Sequence, residues 1–248
     1  MALCLVALPA GLARADWTKG EFTANGKPVT EYHCVPAGKA PHPAVILLHG
    51  SGPRGMADES MEKICGELAA AGYYAVYLEY YSQTEDVTAG QPAKMKESFP
   101  VWLGEIRAGI DAMDQNPQID PKRIALMGFS LGSFLSLSTG ATDPGKVAAI
   151  VEYYGALPPE LDPMVGNLPP TLIIHGDADQ LVPVARAHAL DTLMTDAKRP
   201  HEIHIYPGAN HAFNFQIPVW YNAADAQDAW QRSLAFLAQY LAVQSAAK

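Results

Sequence analysis

The pentapeptide Gly128-Phe129-Ser130-Leu131-Gly132 constrains this chain more than any other stretch. Ahead of it, residues 123–127 (RIALM) form the short apolar run expected of a strand covered on both faces. Behind it, residues 133–138 continue as a helix. A strand-to-helix turn this tight holds its serine in a strained backbone conformation. Side chains in place of the flanking glycines would collide with the neighbouring strand and helix. The strain lifts Ser130 Oγ out above the sheet, where the first amides of the new helix face any bound oxyanion. G-x-S-x-G alone is a weak motif; its place between a strand and a helix gives it weight.

The remaining elements repeat the order strand, then helix. Residues 22–29 read as a hairpin around Asn25-Gly26, the preferred two-residue turn, with a returning strand over 31–35. Apolar runs at 44–48, 74–78, 147–154 and 171–175 read as strands, and 201–206 reads as the last strand. Helices are expected at 58–71 (closed by Gly72), 99–115, 185–197 and 223–242, with a polar excursion over 82–97 and a Pro-rich loop over 158–170. This pattern predicts an α/β fold: a mostly parallel central sheet with helices on both faces, in one domain over residues 16–248. The chain's 248 residues supply one substantial core.

A net charge of −9 without a lysine or arginine run excludes a nucleic-acid footprint. The apolar run at 2–8 is too short to span a bilayer, so no membrane role is expected. With Ala13-Arg14-Ala15 before Asp16 as a small-x-small cleavage site, residues 1–15 read as an export signal, although no positive charge precedes the apolar run. The other reading is an apolar N-terminal arm in a cytoplasmic protein. Cys34 and Cys65 are compatible with a disulfide or with two buried thiols.

In such a sheet, ligands sit outside the carboxyl ends of the strands. Three loops there carry candidate groups. His175-Gly176-Asp177-Ala178-Asp179 offers two carboxylates to orient a histidine; Asp179 is preferred, because Asp177 follows the strand closely and suits the turn. In Asn210-His211-Ala212-Phe213, His211 is the candidate base. His49-Gly50-Ser51-Gly52-Pro53 can aim a backbone amide at an oxyanion together with the Leu131 amide; Ser51 is the preferred donor, with Gly50 and Gly52 as alternatives. No ligand cluster for a metal or cofactor is evident.

HGSGP (49–53), GFSLG (128–132), EYYG (152–155), HGDADQLVP (175–183) and NHAF (210–213) together resemble the dienelactone hydrolase family of the α/β-hydrolases. The resemblance implies the α/β-hydrolase fold and hydrolysis of a small-molecule carboxylic ester or lactone, with Ser130, His211 and Asp179 in the family's Ser-Asp-His order. Two departures agree with each other. Authentic members carry a cysteine nucleophile and a glutamate after the histidine of the first loop; here Ser130 and Gly50 stand in those places. The substrate-binding arginines of those enzymes have no counterpart at Glu79-Tyr80-Tyr81-Ser82 or Ala212-Phe213-Asn214-Phe215. Arg54, Lys94 and Lys96 are candidate substitutes, and Tyr80, Tyr81, Trp102, Tyr153, Tyr154 and Phe213 are candidates for an aromatic pocket. Two other functions share these residues: a serine peptidase of the prolyl-oligopeptidase kind, and a non-catalytic binding protein on a hydrolase scaffold. Oligomeric state is not legible.

Overall fold

The computed structural model describes residues 17–241. The expected signal over 1–15 lies outside them, as does Ala242. An eight-stranded sheet runs β1 (Thr18–Ala24), β2 (Lys27–Cys34), β4 (Tyr74–Leu78), β3 (His42–Leu48), β5 (Ile119–Phe129), β6 (Ala149–Tyr153), β7 (Thr171–Gly176), β8 (His201–Tyr206) in spatial order. The β1–β2 and β2–β4 pairs are antiparallel, and β4 through β8 are parallel.

Side-chain alternation divides the core into two layers. Ala44, Ile46 and Leu48 of β3 face one layer, and Val45 and Leu47 face the other. The first layer is filled by α2 (Pro92–Asp114), α3 (Leu131–Thr142) and α4 (Ala185–Asp196). The second is covered by α1 (Asp58–Ala70) and α5 (Ala223–Leu241). Cys34 of β2 and Cys65 of α1 form a disulfide, with Cα atoms 5.6 Å apart, pinning that helix to the antiparallel edge. Among the described residues no helix is long and apolar enough to cross a membrane.

Two expectations need correction. Helix α2 begins at Pro92 rather than 99, absorbing much of the expected polar excursion. Pro92 sits in the first turn, where its missing N–H costs nothing. Met95 and Phe99 then extend the apolar stripe of Trp102, Ile106, Ile110 and Met113 backward by two turns, and their packing carries the helix through Pro100. The Pro-rich loop contains a 3₁₀ segment, Pro159–Asn167, tied to α3 where Asn167 Nδ2 donates to Ala141 O at 2.8 Å.

Glu105 of α2 is fully buried. Burial pushes its carboxyl up to about 8, against the opposing pull of the Gln83 amide, the Arg54 charge and the Ser82 amide. A carboxyl whose folded value is raised stabilises the fold below its unfolded value near 4.5 and loses that contribution as pH climbs to about 8. Glu105→Gln should therefore flatten the decline of melting temperature between pH 5 and pH 9. Parallel wild-type and variant curves in thermal melts across that range would count against it.

Candidate active site

The parallel strands end on one edge of the sheet, and the loops leaving β3, β5, β7 and β8 meet there. Ser130 follows β5 directly, with φ +52° and ψ −117°, and is the N-cap of α3. This positive φ is costly for any residue with a side chain. What forces it is contact. A Cβ on Gly128 would strike the backbone of Gly132 and Ser133, and one on Gly132 would strike Leu48 O and come within 2.7 Å of His49 O. The Ser130 amide donates to Tyr153 O at 2.9 Å, and Ser133 Oγ lies 2.7 Å from Gly128 O, so the bend is anchored on both sides.

These contacts make Gly132→Ala a clean test. Helix propensity alone would stabilise the variant by about 1 kcal/mol. Collision with immovable backbone on β3 should instead destabilise it by about 3 kcal/mol, read as a lower urea midpoint. A midpoint equal to or above wild type would disprove the crowding.

His211, on the connection after β8, lies with Nε2 2.9 Å from Ser130 Oγ and Nδ1 2.7 Å from Asp179 Oδ2. Asp179, on the loop after β7, is held in turn. Its Oδ1 accepts the amides of Leu181 and Val182, each at 2.8 Å, and its side chain is fully buried. Burial by itself would raise this carboxyl. The hydrogen bonds from His175, His211 and the Val182 amide outweigh it and hold the group well below the usual carboxylate range. The neighbouring Asp177 accepts the Gly208 amide at 2.6 Å and serves the turn.

Behind Asp179 stand two groups to which sequence reasoning gave no part in this network. His175 Nε2 is 2.8 Å from Val182 O and 3.3 Å from Asp179 Oδ2, so the ring braces the aspartate loop. Burial alone would lower the His175 imidazole, but Asp179 and Glu152 outweigh it and raise it above its ordinary value. Glu152 is fully buried, accepts the Gly155 amide at 2.9 Å, and is pushed up by burial to about 7 against the pull of His175. The sequence signal for both was a polar residue inside an otherwise apolar strand.

A cavity of about 410 Å³ opens over Ser130. Gly50, Ser51, Ser130, Tyr154 and His211 line its floor, and its walls come from Met56, Met61, Leu181, Phe215, Ile217 and Trp220. Leu131, as the first residue of α3, has an amide with no carbonyl partner inside the helix. Tyr154 packs its ring 4.7 Å from that of His211 and donates its hydroxyl to Asn214 Oδ1 at 2.8 Å.

The other pocket candidates do not line this space. Tyr80 and Tyr81 are fully buried; Tyr80 stacks on His49 at 4.2 Å and donates to His49 O at 2.7 Å, which shapes the 49–51 loop from behind. Phe213 is buried against Tyr206, Trp102 donates to Thr84 Oγ1, and the Tyr153 hydroxyl pairs with Ser233. Their aromatic surface was better satisfied in the core than at a mouth. Arg54 is clamped to Asp86, with Nε 3.0 Å from Oδ1, and to the carbonyls of Tyr81 and Thr84. The cavity walls that sequence reasoning missed come largely from residues 207–222, a connection longer than usual between elements. That length was the available signal.

Among the described residues no group of three or more His, Cys, Asp and Glu side chains is arranged to hold a metal ion. The arrangement present can pass a proton from a hydroxyl to an imidazole backed by a carboxylate.

The family model for the dienelactone hydrolase family matches residues 29–241. A relative from Methylorubrum extorquens named "Putative carboxymethylenebutenolidase" is 25% identical over 228 residues, covering 86% of this chain and 77% of its own. A Bradyrhizobium protein named "Probable 2-oxo-3-(5-oxofuran-2-ylidene)propanoate lactonase" is 23% identical over 244 residues, covering 91% and 94%. Among solved structures, the "Putative Dienelactone Hydrolase" of Klebsiella pneumoniae superposes with a TM-score of 0.76 at 27% identity, over 91% of this chain and all of that one.

Proposed function

The chain belongs to the dienelactone hydrolase family, and from that premise we propose that it is a serine hydrolase of carboxylic esters or lactones. The observation that carries the reading is the continuous contact Ser130 Oγ to His211 Nε2 to Nδ1 to Asp179 Oδ2, opening onto a cavity. His211 takes the proton of Ser130 Oγ as that oxygen attacks the carbonyl carbon. The imidazolium so formed is stabilised by Asp179, which stays ionised. Amides of Ser51 and Leu131 receive the oxyanion. Collapse of the tetrahedral intermediate breaks the ester bond, and His211 returns the proton to the departing alkoxide. Water, deprotonated by the same His211, then cleaves the acyl-enzyme and releases the acid. The lactone and butenolidase names of the relatives supply the substrate class.

Labelling with a fluorophosphonate, followed by mass mapping of the adduct, tests this. One equivalent on the peptide containing Ser130, with turnover of p-nitrophenyl acetate blocked in parallel, is the expected result. A folded protein that neither labels nor turns over the ester would overturn the proposal.

A further inference from the structure

The walls of the cavity say what kind of ester it accepts. Apart from Ser51, Ser60, the Tyr154 hydroxyl (which donates to Asn214 Oδ1), the Trp220 indole N–H and the reacting groups, its lining is apolar. Among the described residues no lysine or arginine lines it. His211 is its single basic group, and a base that must accept the serine proton has to be neutral beforehand, so it cannot also neutralise a bound anion.

Arg54 and Lys63 flank the lining residues Met56 and Met61 in sequence, and neither lines the cavity. Arg54 is committed to Asp86 and two carbonyls. Lys63 borders an adjoining depression, where it stands 3.9 Å from Glu67 and shares the lining with Glu59. A carboxylate drawn into the cavity would thus lose water without gaining a cationic partner. The net charge of −9 opposes its approach as well.

The mouth continues the same chemistry outward. Met56, Leu181 and Ile217 line the cavity yet remain 67%, 49% and 36% exposed, and Val219 on the same connection is 83% exposed. Three exposed apolar side chains, Met56, Leu181 and Ile217, thus border the cavity that holds Ser130. Exposed apolar side chains bordering a cavity suit the binding of an apolar group.

We infer that the substrate is an uncharged ester or lactone whose apolar group runs from Ser130 along Met61 and Trp220 to the Met56–Ile217 rim, and that carboxylate-bearing substrates are rejected. The inference rests on the hydrolase reading above and narrows it.

Two p-nitrophenyl esters that differ only at the far end of the acyl chain test it: the hexanoate and the mono-adipate. Hexanoate should exceed adipate in kcat/KM by at least ~100-fold, since the adipate buries an unpaired charge. From acetate to hexanoate the value should rise about fourfold per methylene. Met56→Arg, a change at an exposed position, should shrink the hexanoate-to-adipate ratio at least ~10-fold by supplying the missing partner. A wild-type ratio near one, or a flat chain-length series with active enzyme, overturns the substrate class and leaves the hydrolase reading standing. Absence of any turnover by folded protein overturns the hydrolase reading instead. In that event calorimetric binding of methyl hexanoate and monomethyl adipate to Ser130→Ala still decides the substrate class: tighter binding of the neutral ligand supports it, and equal or tighter binding of the anion refutes it.

Discussion

Ser130→Ala is expected to lower kcat by about 10⁵- to 10⁶-fold while leaving the melting temperature within about 2 °C of wild type. The loss is large because Oγ is the atom that would bond the acyl carbon, and no other hydroxyl stands within hydrogen-bonding distance of His211 Nε2 among the described contacts. The stability is preserved because alanine meets the same cost at φ +52° that serine does, and the bend is held by Gly128, Gly132 and the Ser130 amide rather than by Oγ. Residual activity above the uncatalysed rate is expected from the amides proposed to hold the oxyanion. Steady-state kinetics beside a thermal melt decide the matter: activity within tenfold of wild type would move the nucleophile elsewhere.

Asp179→Asn should cost about 10⁴-fold in kcat with little change in KM, because Asp179 does not line the cavity. The geometry dictates how. Oδ1 receives two amide hydrogens, from Leu181 and Val182, so the oxygen of asparagine must stay on that side. Its NH₂ then occupies the place of Oδ2, 2.7 Å from His211 Nδ1, and donates to it. The imidazole is forced to carry its proton on Nε2, facing Ser130, where it is a donor instead of a base. Stability has a pH signature too. A carboxyl held below its unfolded value contributes stability above about pH 4 and loses it as pH falls further. The variant should therefore lag wild type at pH 7, and the gap should narrow steadily as pH falls below about 4. A variant with wild-type kcat would show that Asp179 does not govern the tautomer.

Much of this arrangement was legible in the residues. Strands β3, β4 and β7 are apolar runs whose length and flanking turns announce them, and Ser130, Asp179 and His211 each follow a strand read from the sequence directly or by a few residues. Local rules failed where tertiary packing chose between equally good uses of a side chain. Tyr80, Tyr81 and Phe213 read as pocket aromatics because they stand near strand ends, yet the core offered them closer packing. Helix α2 starts early because Met95 finds the core, a gain invisible in the polar stretch over 82–97. The cavity walls Phe215, Ile217 and Trp220 belong to a connection without periodicity, which no pattern of three or two can detect.

The position of β8 at the end of the sheet has a consequence for how the protein is made. Ser130 and His211 are 81 residues apart, and the strand that presents His211 joins a single neighbour, β7. Pairing of a late edge strand depends on the parallel strands before it already being in place, and such distant contacts form slowly. A nascent or refolding chain that has assembled β3 to β7 would display a formed serine bend and a braced aspartate yet have no base. Recovery of activity therefore times the docking of β8, and stays silent about the collapse that precedes it.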